Sequence, residues 1–253
     1  MPRDILELPA PPTDRRLSYG PNALHFGDLR MPAGAGPHPA IIYIHGGFWR
    51  AKYGLEHAGH FCEALRSAGV ATWNIEYRRV GQDGGGWPGT LDDVLRAARF
   101  IERIARSHPI ELERVLVAGH SAGGQLALWV AAQDAIDLRA AVSLGGVVDL
   151  RRAFELRLGD GAVEQFLGAA PDEAPERYTA TSPLELLPFR TPQLLIHGTR
   201  DDVVPIELAD RFDAASNNCK ILRLEGGDHF DAIDPRSAYW PMIADTLLRA
   251  LAV

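Results

Sequence analysis

The sequence predicts an α/β protein built on a mostly parallel, doubly wound sheet flanked by helices. Short apolar runs alternate along the chain with longer amphipathic segments. The short runs are apolar on both faces, which is typical of parallel strands covered by helices on each side. Strand and helix take turns, so right-handed crossovers are expected between consecutive strands. The chain has 253 residues, 46% of them hydrophobic. This is enough apolar material for one large core, and we expect residues 1–253 to form a single domain.

Six short apolar runs are the predicted strands, at 40–46, 70–77, 114–120, 139–146, 192–198 and 220–226. Helical patterns cover about 56–68, 90–107, 122–133, 205–216 and 237–252. The first helix is expected to end at Gly69, since glycine is a common residue at helix C-termini. Upstream, the segments "RRLSYG" and "ALHFGDLRMP" predict an antiparallel strand pair at one edge of the sheet, followed by a turn rich in proline and glycine.

Residues 151–190 interrupt this alternation. About 40 residues, with several prolines and short helical patterns, stand here between two predicted strands. A connection of this length in a compact domain is usually a binding loop or a lid. We therefore expect a lid-like insertion at 151–190. The alternative is a structural excursion that covers part of the sheet.

The composition points to a small-molecule ligand. The formal net charge is −7, whereas nucleic acids and anionic membranes are bound through clustered Lys and Arg, so we expect neither as a partner. The two cysteines, Cys62 and Cys219, lack the spacing of a zinc site or a disulfide framework, and no metal site is predicted. The sequence contains no run of 18 apolar residues and no signal-type apolar region, so a cytoplasmic protein is expected. The oligomeric state is left open.

Ser121 is the candidate nucleophile. It stands between a predicted strand and a helical pattern, in the sequence Gly119-His120-Ser121-Ala122-Gly123. Ligands of open parallel sheets bind beyond the carboxyl ends of the strands, so this serine is expected to face the site. The flanking glycines fit a sharp strand-to-helix turn, and the N-terminus of the helix favours negative charge nearby. His120 is expected to pack within the turn and is also a candidate for substrate binding.

A serine hydroxyl needs a base, and the base needs a third group that fixes its tautomer. His229 is the candidate base, because the loop "EGGDHFDAI" follows the last predicted strand and emerges at the same edge of the sheet. Three carboxylates are candidates for the third group: Asp201 and Asp202 follow the strand at 192–198, and Asp149 follows the strand at 139–146. We favour Asp201, since it comes early in its turn and the next residues lead into a helix with a proline at its start. Asp202 and Asp149 stay as alternatives.

The segment "HGGFW" at 45–49 follows the first central strand and supplies candidate oxyanion donors. Its two glycines allow the backbone to turn N–H groups outward, so the amides of Gly47 and Phe48, with that of Ala122, are predicted to form an oxyanion hole. His45 is expected to support the loop. Aromatic side chains near these loops and in the insertion are candidates for a wall around a small acyl or aryl group. These aromatics are Trp49 and Trp87, the two named as substrate-binding candidates, and Phe154, Phe166 and Tyr178; the alternative for each is a place in the core.

Taken together, these motifs resemble the α/β-hydrolase superfamily from about Ala40 to the C-terminus, in the chain order serine, acid, histidine. The segments "HGGFW", "GHSAGG", "HGTRDDVVP" and "GGDHFD" are similar to those of small esterases of the hormone-sensitive-lipase branch, of arylformamidases and of prolyl-oligopeptidase-like catalytic domains. The resemblance implies an acid four residues after the His of "HG", which is Asp201. Phe48 replaces the third glycine of the lipase pattern, and Trp49 is closer to the formamidase pattern H-G-G-x-W.

The expected function is hydrolysis of small carboxylic esters through an acyl-enzyme, without a cofactor. The alternative is an arylformamidase that cleaves an N-formyl aryl amide, which the "HGGFW" segment favours. A prolyl-oligopeptidase-like peptidase is a weaker alternative, because no β-propeller precedes the domain. A binding protein without turnover is expected to lack a member of the catalytic set, and none is missing here.

Overall fold

The computed structural model describes residues 5–252, so that residues 1–4 and 253 of the expected domain lie outside the described part. Its centre is an eight-stranded sheet. The strands are β1 (Arg15–Ser18), β2 (Phe26–Arg30), β3 (His38–Ile44), β4 (Ala71–Ile75), β5 (Ile110–His120), β6 (Ala140–Leu144), β7 (Gln193–Gly198) and β8 (Cys219–Leu224). The helices are α1 (Gly59–Ser67), α2 (Gly89–Arg99), α3 (Ile101–Ala105), α4 (Ala122–Ala132), α5 (Leu150–Glu155), α6 (Leu158–Leu167), α7 (Pro175–Thr181), α8 (Glu207–Ala215) and α9 (Trp240–Ala252). Short 3-10 turns cover Leu55–Ala58 and Pro183–Leu186.

The strands follow the order β1-β2-β4-β3-β5-β6-β7-β8 across the sheet. Strands β3 to β8 run parallel, whereas β2 is antiparallel to both β1 and β4. The predicted mostly parallel sheet and the antiparallel pair at its edge are both confirmed. The register aligns the carboxyl ends of the central strands: Ile44 of β3 is paired with Gly119 of β5, and the neighbouring His120 is paired with Leu144 of β6. The loops that follow these strands therefore leave the sheet side by side.

The core consists of two apolar layers, one on each face of the sheet. Successive residues of a strand point to opposite faces, so Ile42 and Val117 pack in one layer, and Ile41 and Leu116 pack in the other. The first layer includes residues of α2, α3, α4 and α8, and the second includes residues of α1 and α9. Helices thus cover both faces of the sheet, as expected for strands that are apolar on both faces.

Several predicted elements differ from the observed ones by a few residues at their ends, and two of the differences are larger. Strand β5 begins at Ile110, four positions before the predicted start, because Ile110 pairs with His38 beyond an irregularity in the β3–β5 ladder. The helix predicted at 90–107 is two helices, α2 and α3, that meet at Phe100. Neither difference moves a residue of the candidate site.

Residues 151–190 fold into helices that pack against α4. Side chains of α4 bind the insertion directly: Gln125 donates to the Thr181 carbonyl and Trp129 to the Ala180 carbonyl, both at 3.0 Å. Three aromatic residues of this segment were candidates for a substrate wall. Phe166 and Tyr178 are instead buried in the core, and the half-buried Phe154 packs edge-on against Tyr178.

Candidate active site

Ser121 forms the junction between β5 and α4, as the sequence predicted. Its backbone has φ 56° and ψ −120°, a conformation that costs energy for a residue with a side chain and is found where function requires it. The turn leaves no space for a side chain two residues before or two residues after the serine. A Cβ on Gly119 would lie 2.0 Å from the Gly123 carbonyl oxygen, and a Cβ on Gly123 would lie 2.0 Å from the Ile44 carbonyl oxygen. The two glycines are thus needed for the close approach of β3, β5 and α4.

His229 and Asp201 form a buried pair. His229 Nδ1 donates to Asp201 Oδ2 at 2.7 Å, and both residues are less than 10% exposed. The other carboxylate oxygen, Oδ1, accepts the backbone N–H groups of Val203 at 2.9 Å and Val204 at 2.7 Å. Because Nδ1 carries the proton, Nε2 of His229 is the nitrogen left to accept a proton from another group.

The Asp201 carboxylate is held in its charged form. Burial on its own would raise the pKa of Asp201, but hydrogen bonds from His197 and His229 outweigh burial and hold that pKa well below its usual range. His197 Nε2 lies 3.3 Å from Asp201 Oδ2 and donates to the Val204 carbonyl at 2.8 Å, so it also shapes the turn. A charged, fixed carboxylate can orient the imidazole and stabilise its protonated form.

The other candidate carboxylates have different surroundings. Asp149 caps α5 by accepting the Arg152 N–H at 3.0 Å and pairs with Arg211 at 2.7 Å, so its oxygens are engaged away from His229. Asp202 is exposed, whereas Asp201 is buried. Geometry thus selects Asp201 as the histidine's partner.

The acidic neighbours of His229 hold its loop in place. Asp228 accepts the N–H groups of Phe230 at 2.9 Å and Asp231 at 3.1 Å, and Asp231 accepts the Asp228 N–H and the Ser237 hydroxyl. His120 also holds this loop, since its Nε2 donates a hydrogen bond to the His229 carbonyl at 3.0 Å. The two imidazole rings lie 4.4 Å apart, and His120 is 2% exposed. His120 therefore packs in the turn and also lines the pocket next to Ser121.

The candidate oxyanion loop follows β3. Gly47, Phe48 and Trp49 all have positive φ values. Within the described part of the chain, the N–H groups of Phe48 and Ala122 have no hydrogen-bond acceptor. His45 supports the loop from inside: its ring nitrogens lie against the Gly46 carbonyl at 2.8 Å and the Glu76 carboxylate at 3.0 Å. The loop thus offers unpaired donors on a buried support.

Ser121 and His229 line one pocket of about 240 Å³. Its wall is completed by Leu6, Gly47, Phe48, Tyr53, His57, His120, Val203 and Phe230. Among residues 5–252 no hydrogen bond joins the Ser121 hydroxyl to His229. Burial lowers the pKa of His57 to about 3, so this wall residue is a neutral imidazole at physiological pH.

Two of the predicted substrate-binding residues lie elsewhere. Trp49 is fully buried: its indole N–H donates to Gln125 Oε1 at 3.0 Å, and its ring stacks on Phe166 with 4.6 Å between centroids. Trp87 is 37% exposed and lies under the guanidinium of Arg177 at 4.6 Å. The prediction that these two tryptophans line the pocket is wrong, because partners in α4 and in the insertion hold their rings outside the pocket.

Sequence reasoning missed most of the wall. Val203 and Phe230 stand next to predicted site loops, and that adjacency was a usable signal. Leu6, Tyr53 and His57 carry no such signal, since the chain brings them to the pocket only through its fold.

No group of three or more His, Cys, Asp or Glu side chains between residues 5 and 252 is arranged to hold a metal ion. The helices in that range include none that is long and apolar enough to cross a bilayer.

The strand order and the strand–serine–helix turn define an α/β-hydrolase. The chain belongs to the BD-FAE family, whose model matches residues 28–215, and is an α/β-hydrolase of the esterase type. Among curated proteins it is 28% identical to the uncharacterized peptidase YtmA of Bacillus subtilis, over 72% of this chain and 70% of YtmA. It is 26% identical to the esterase LipC of Mycobacterium tuberculosis, over 87% of this chain and 60% of LipC.

Solved structures share the fold. Esterase B of Lactobacillus rhamnosis superposes with a TM-score of 0.80 at 21% identity, covering 99% of this chain and 89% of that protein. A bacterial heroin esterase superposes with a TM-score of 0.73 at 24% identity, covering 94% of this chain and 82% of that protein. These likenesses confirm the α/β-hydrolase fold that the motifs predicted.

Proposed function

We propose that this chain hydrolyses small carboxylic esters through an acyl-enzyme on Ser121, with His229 as the general base and Asp201 as the residue that orients it. The observation that carries the proposal is the 2.7 Å bond from His229 Nδ1 to Asp201 Oδ2, in the same pocket as a serine at the strand–helix turn. This bond supports a serine-hydrolase mechanism, because the tautomer that it fixes leaves Nε2 free to take the serine proton.

Each step of the reaction has a residue to perform it. Ser121 Oγ attacks the ester carbonyl carbon while its proton passes to His229 Nε2, and the carbonyl oxygen becomes negative. That oxygen is bound by the amides of Gly47, Phe48 and Ala122, the proposed oxyanion hole. When the ester C–O bond breaks, His229 returns the proton to the departing alkoxide. A water molecule then attacks the acyl-enzyme by the same path, which releases the acid and restores Ser121. The mechanism needs no cofactor.

Closing the contact between Ser121 and His229 is part of this proposal. Hydrogen bonds between catalytic groups are often long in proteins without substrate and tighten in the complex. The Asp201 carboxylate already fixes the imidazole, so a change in the side-chain angle of Ser121 is the simplest way to close the contact.

The size of the pocket supports a small substrate. About 240 Å³ is below the range of roughly 300–1,000 Å³ that is usual for drug-sized ligands. Its aromatic wall residues Phe48, Tyr53 and Phe230 suit a short acyl group or a single ring. The arylformamidase alternative depended on the place of Trp49 in the "HGGFW" segment, and Trp49 lies outside the pocket. Ester hydrolysis is therefore the function we favour.

The test compares wild type with Ser121→Ala in p-nitrophenyl acetate hydrolysis and in labelling by a fluorophosphonate. We expect the variant to lose labelling and at least about 10³-fold in kcat, because the nucleophile is removed while the oxyanion donors stay. Ser143→Ala is the matched control, since Ser143 is a buried serine on the neighbouring strand β6. It should keep both activities.

Two results would count against the proposal. Labelling that persists in Ser121→Ala would remove this serine from its role. Turnover of an N-formyl aryl amide far above that of p-nitrophenyl acetate would reverse the order of the two candidate functions.

A further inference from the structure

The candidate oxyanion loop is held in an unfavourable conformation. Gly47, Phe48 and Trp49 have φ values of 111°, 50° and 56°, and residues with side chains rarely adopt positive φ. Such a run persists only where surrounding contacts enforce it. The conformation of Trp49 is held by the hydrogen bond of its indole to Gln125 and by the stacking of its ring on Phe166. Phe48 is contacted by the first turn of α6, the helix that carries Phe166 near its other end.

The ring of Phe48 lies against Gly159, in the first turn of α6. A Cβ built on Gly159 would lie 2.8 Å from Phe48 Cγ and 2.9 Å from both Cδ atoms. The ring face therefore rests on the glycine backbone, where only hydrogen fits. Gly159 itself belongs to a left-handed stretch that includes Arg157, Asp160 and Gly161.

Arg50 binds the same stretch from the other end of the loop. Its Nη2 donates to the Gly159 carbonyl at 2.6 Å and to the Asp160 carbonyl at 3.3 Å, and its Nε donates to Gln165 Oε1 at 2.9 Å. The Arg50 backbone N–H in turn donates to the Gly47 carbonyl at 3.0 Å. Two unlike contacts, an apolar one at Phe48 and a polar one at Arg50, thus fix the loop on one segment of the insertion.

We propose that Gly159 and Arg50 are positioning residues for the oxyanion hole, and that the contacts of Gly159 with the Phe48 ring and with Arg50 hold the Phe48 amide at the distance that the reacting oxygen requires. The inference rests on the proposed function of Phe48 as an oxyanion donor. Oxyanion donors act over a narrow range of distance, and a misplacement of about 1 Å costs on the order of 10²-fold in rate. On this proposal the insertion at 151–190 serves catalysis as a support for the loop.

The chain offers a matched pair of variants, Gly159→Ala and Gly161→Ala. Both glycines have positive φ, 57° and 76°, so alanine is strained at either position. They differ in their surroundings: a Cβ at Gly161 meets nothing within 4 Å, whereas a Cβ at Gly159 forces the Phe48 ring back by roughly 0.6 Å to reach an ordinary contact of 3.4 Å. The backbone strain is shared, and only the contact with Phe48 distinguishes the two.

We expect Gly159→Ala to lower kcat for p-nitrophenyl acetate, and the rate of phosphonylation by a fluorophosphonate, by about 10- to 100-fold, with KM changed less than about threefold. Gly161→Ala should stay within about threefold of wild type in every parameter. The melting temperatures of the two variants should be similar. A role in stability alone would lower the melting temperature and leave kcat and the phosphonylation rate of the folded protein unchanged.

Equal kcat values in the two folded glycine variants would overturn the inference while the proposed function stands. If Gly159→Ala does not fold, Arg50→Met decides, with Arg151→Met as its control, because Arg151 binds within the insertion through Glu185. Arg50→Met should lose about tenfold in kcat, and activity equal to that of Arg151→Met would overturn the inference. A wild-type protein that is not phosphonylated would refute the proposed function itself, and this inference with it.

Discussion

Replacement of Asp201 by asparagine tests the geometry of the site most directly. One carboxylate oxygen accepts hydrogen bonds from the backbone N–H groups of Val203 and Val204, and the other accepts a hydrogen bond from His229 Nδ1. In Asp201→Asn the side-chain carbonyl can keep the two amide bonds, which leaves the NH₂ group facing the imidazole. His229 then has to present Nδ1 as an acceptor and carry its proton on Nε2. That tautomer has no lone pair for the Ser121 proton.

The magnitude follows from two losses. The carboxylate that stabilises the imidazolium across 2.7 Å is replaced by a neutral group, and breaking a buried pair of this kind costs about 3–5 kcal/mol. The mismatched tautomer adds to this cost, because the base is now protonated at the wrong nitrogen. We expect kcat to fall about 10⁴-fold, which corresponds to about 5.5 kcal/mol of transition-state stabilisation.

Stopped-flow hydrolysis of p-nitrophenyl acetate by Asp201→Asn and Asp202→Asn gives the comparison. The two substitutions are chemically identical and stand at adjacent positions, but Asp202 is exposed and Asp201 is buried on His229. Asp202→Asn should keep kcat within about threefold of wild type, as is usual for a group outside the reacting set. The reasoning fails if Asp201→Asn retains more than about a tenth of the wild-type kcat, or if Asp202→Asn loses as much. Melting temperatures show whether either variant has lost its fold.

Two further predictions concern histidines. Burial lowers the pKa of His57 from 6.5 to about 3, so between these values the unfolded chain binds a proton that the native protein does not, and the stability falls as the pH drops below about 6.5. At pH 4.5 His57 accounts for a loss of about 3 kcal/mol in the free energy of unfolding. Urea unfolding at pH 7 and 4.5 should therefore show a smaller loss of that free energy for His57→Gln than for wild type or His60→Gln. Equal losses would exclude His57 as the cause. At the site, His120→Phe keeps a ring beside His229 but removes the donor to its carbonyl, so kcat should fall about tenfold at little changed KM, with partial recovery in His120→Gln. Steady-state kinetics measure both parameters, and a fully active His120→Phe would show that the bond does not position His229.

The sequence predicted the fold because the central strands of the sheet are mostly buried. A strand covered on both faces reads as a mostly apolar run, and the buried parts of the central strands do so, including residues 115–120 of β5. The placement of Ser121, Asp201 and His229 followed from the same fact, since each stands just after a predicted strand and the carboxyl ends of parallel strands share one edge. The pairing of Asp201 with His229 was harder to predict, because burial distinguishes Asp201 from Asp202 and their sequence positions scarcely do.

The sequence-based predictions of the pocket failed mainly because the directions of side chains were not known. Trp49 stands two residues after the second glycine of its segment, and proximity in sequence suggested a place at the site. The left-handed backbone at Phe48 and Trp49 directs the Trp49 ring to Gln125 and Phe166 in the core. A sequence pattern reports neither that backbone conformation nor the partner rings.

The sequence by itself determined the layered α/β architecture, the strand–serine–helix turn and the three loops that carry the candidate triad, because these depend on local periodicity and on steric rules for single turns. Only the tertiary structure decided which aromatic side chains face the pocket, that His57 and Tyr53 line it, and that the candidate oxyanion loop contacts Gly159 through Phe48 and Arg50. The physical reason is the separation along the chain of the residues that interact. Local patterns fix backbone elements, whereas contacts between segments more than 100 residues apart depend on how those elements pack.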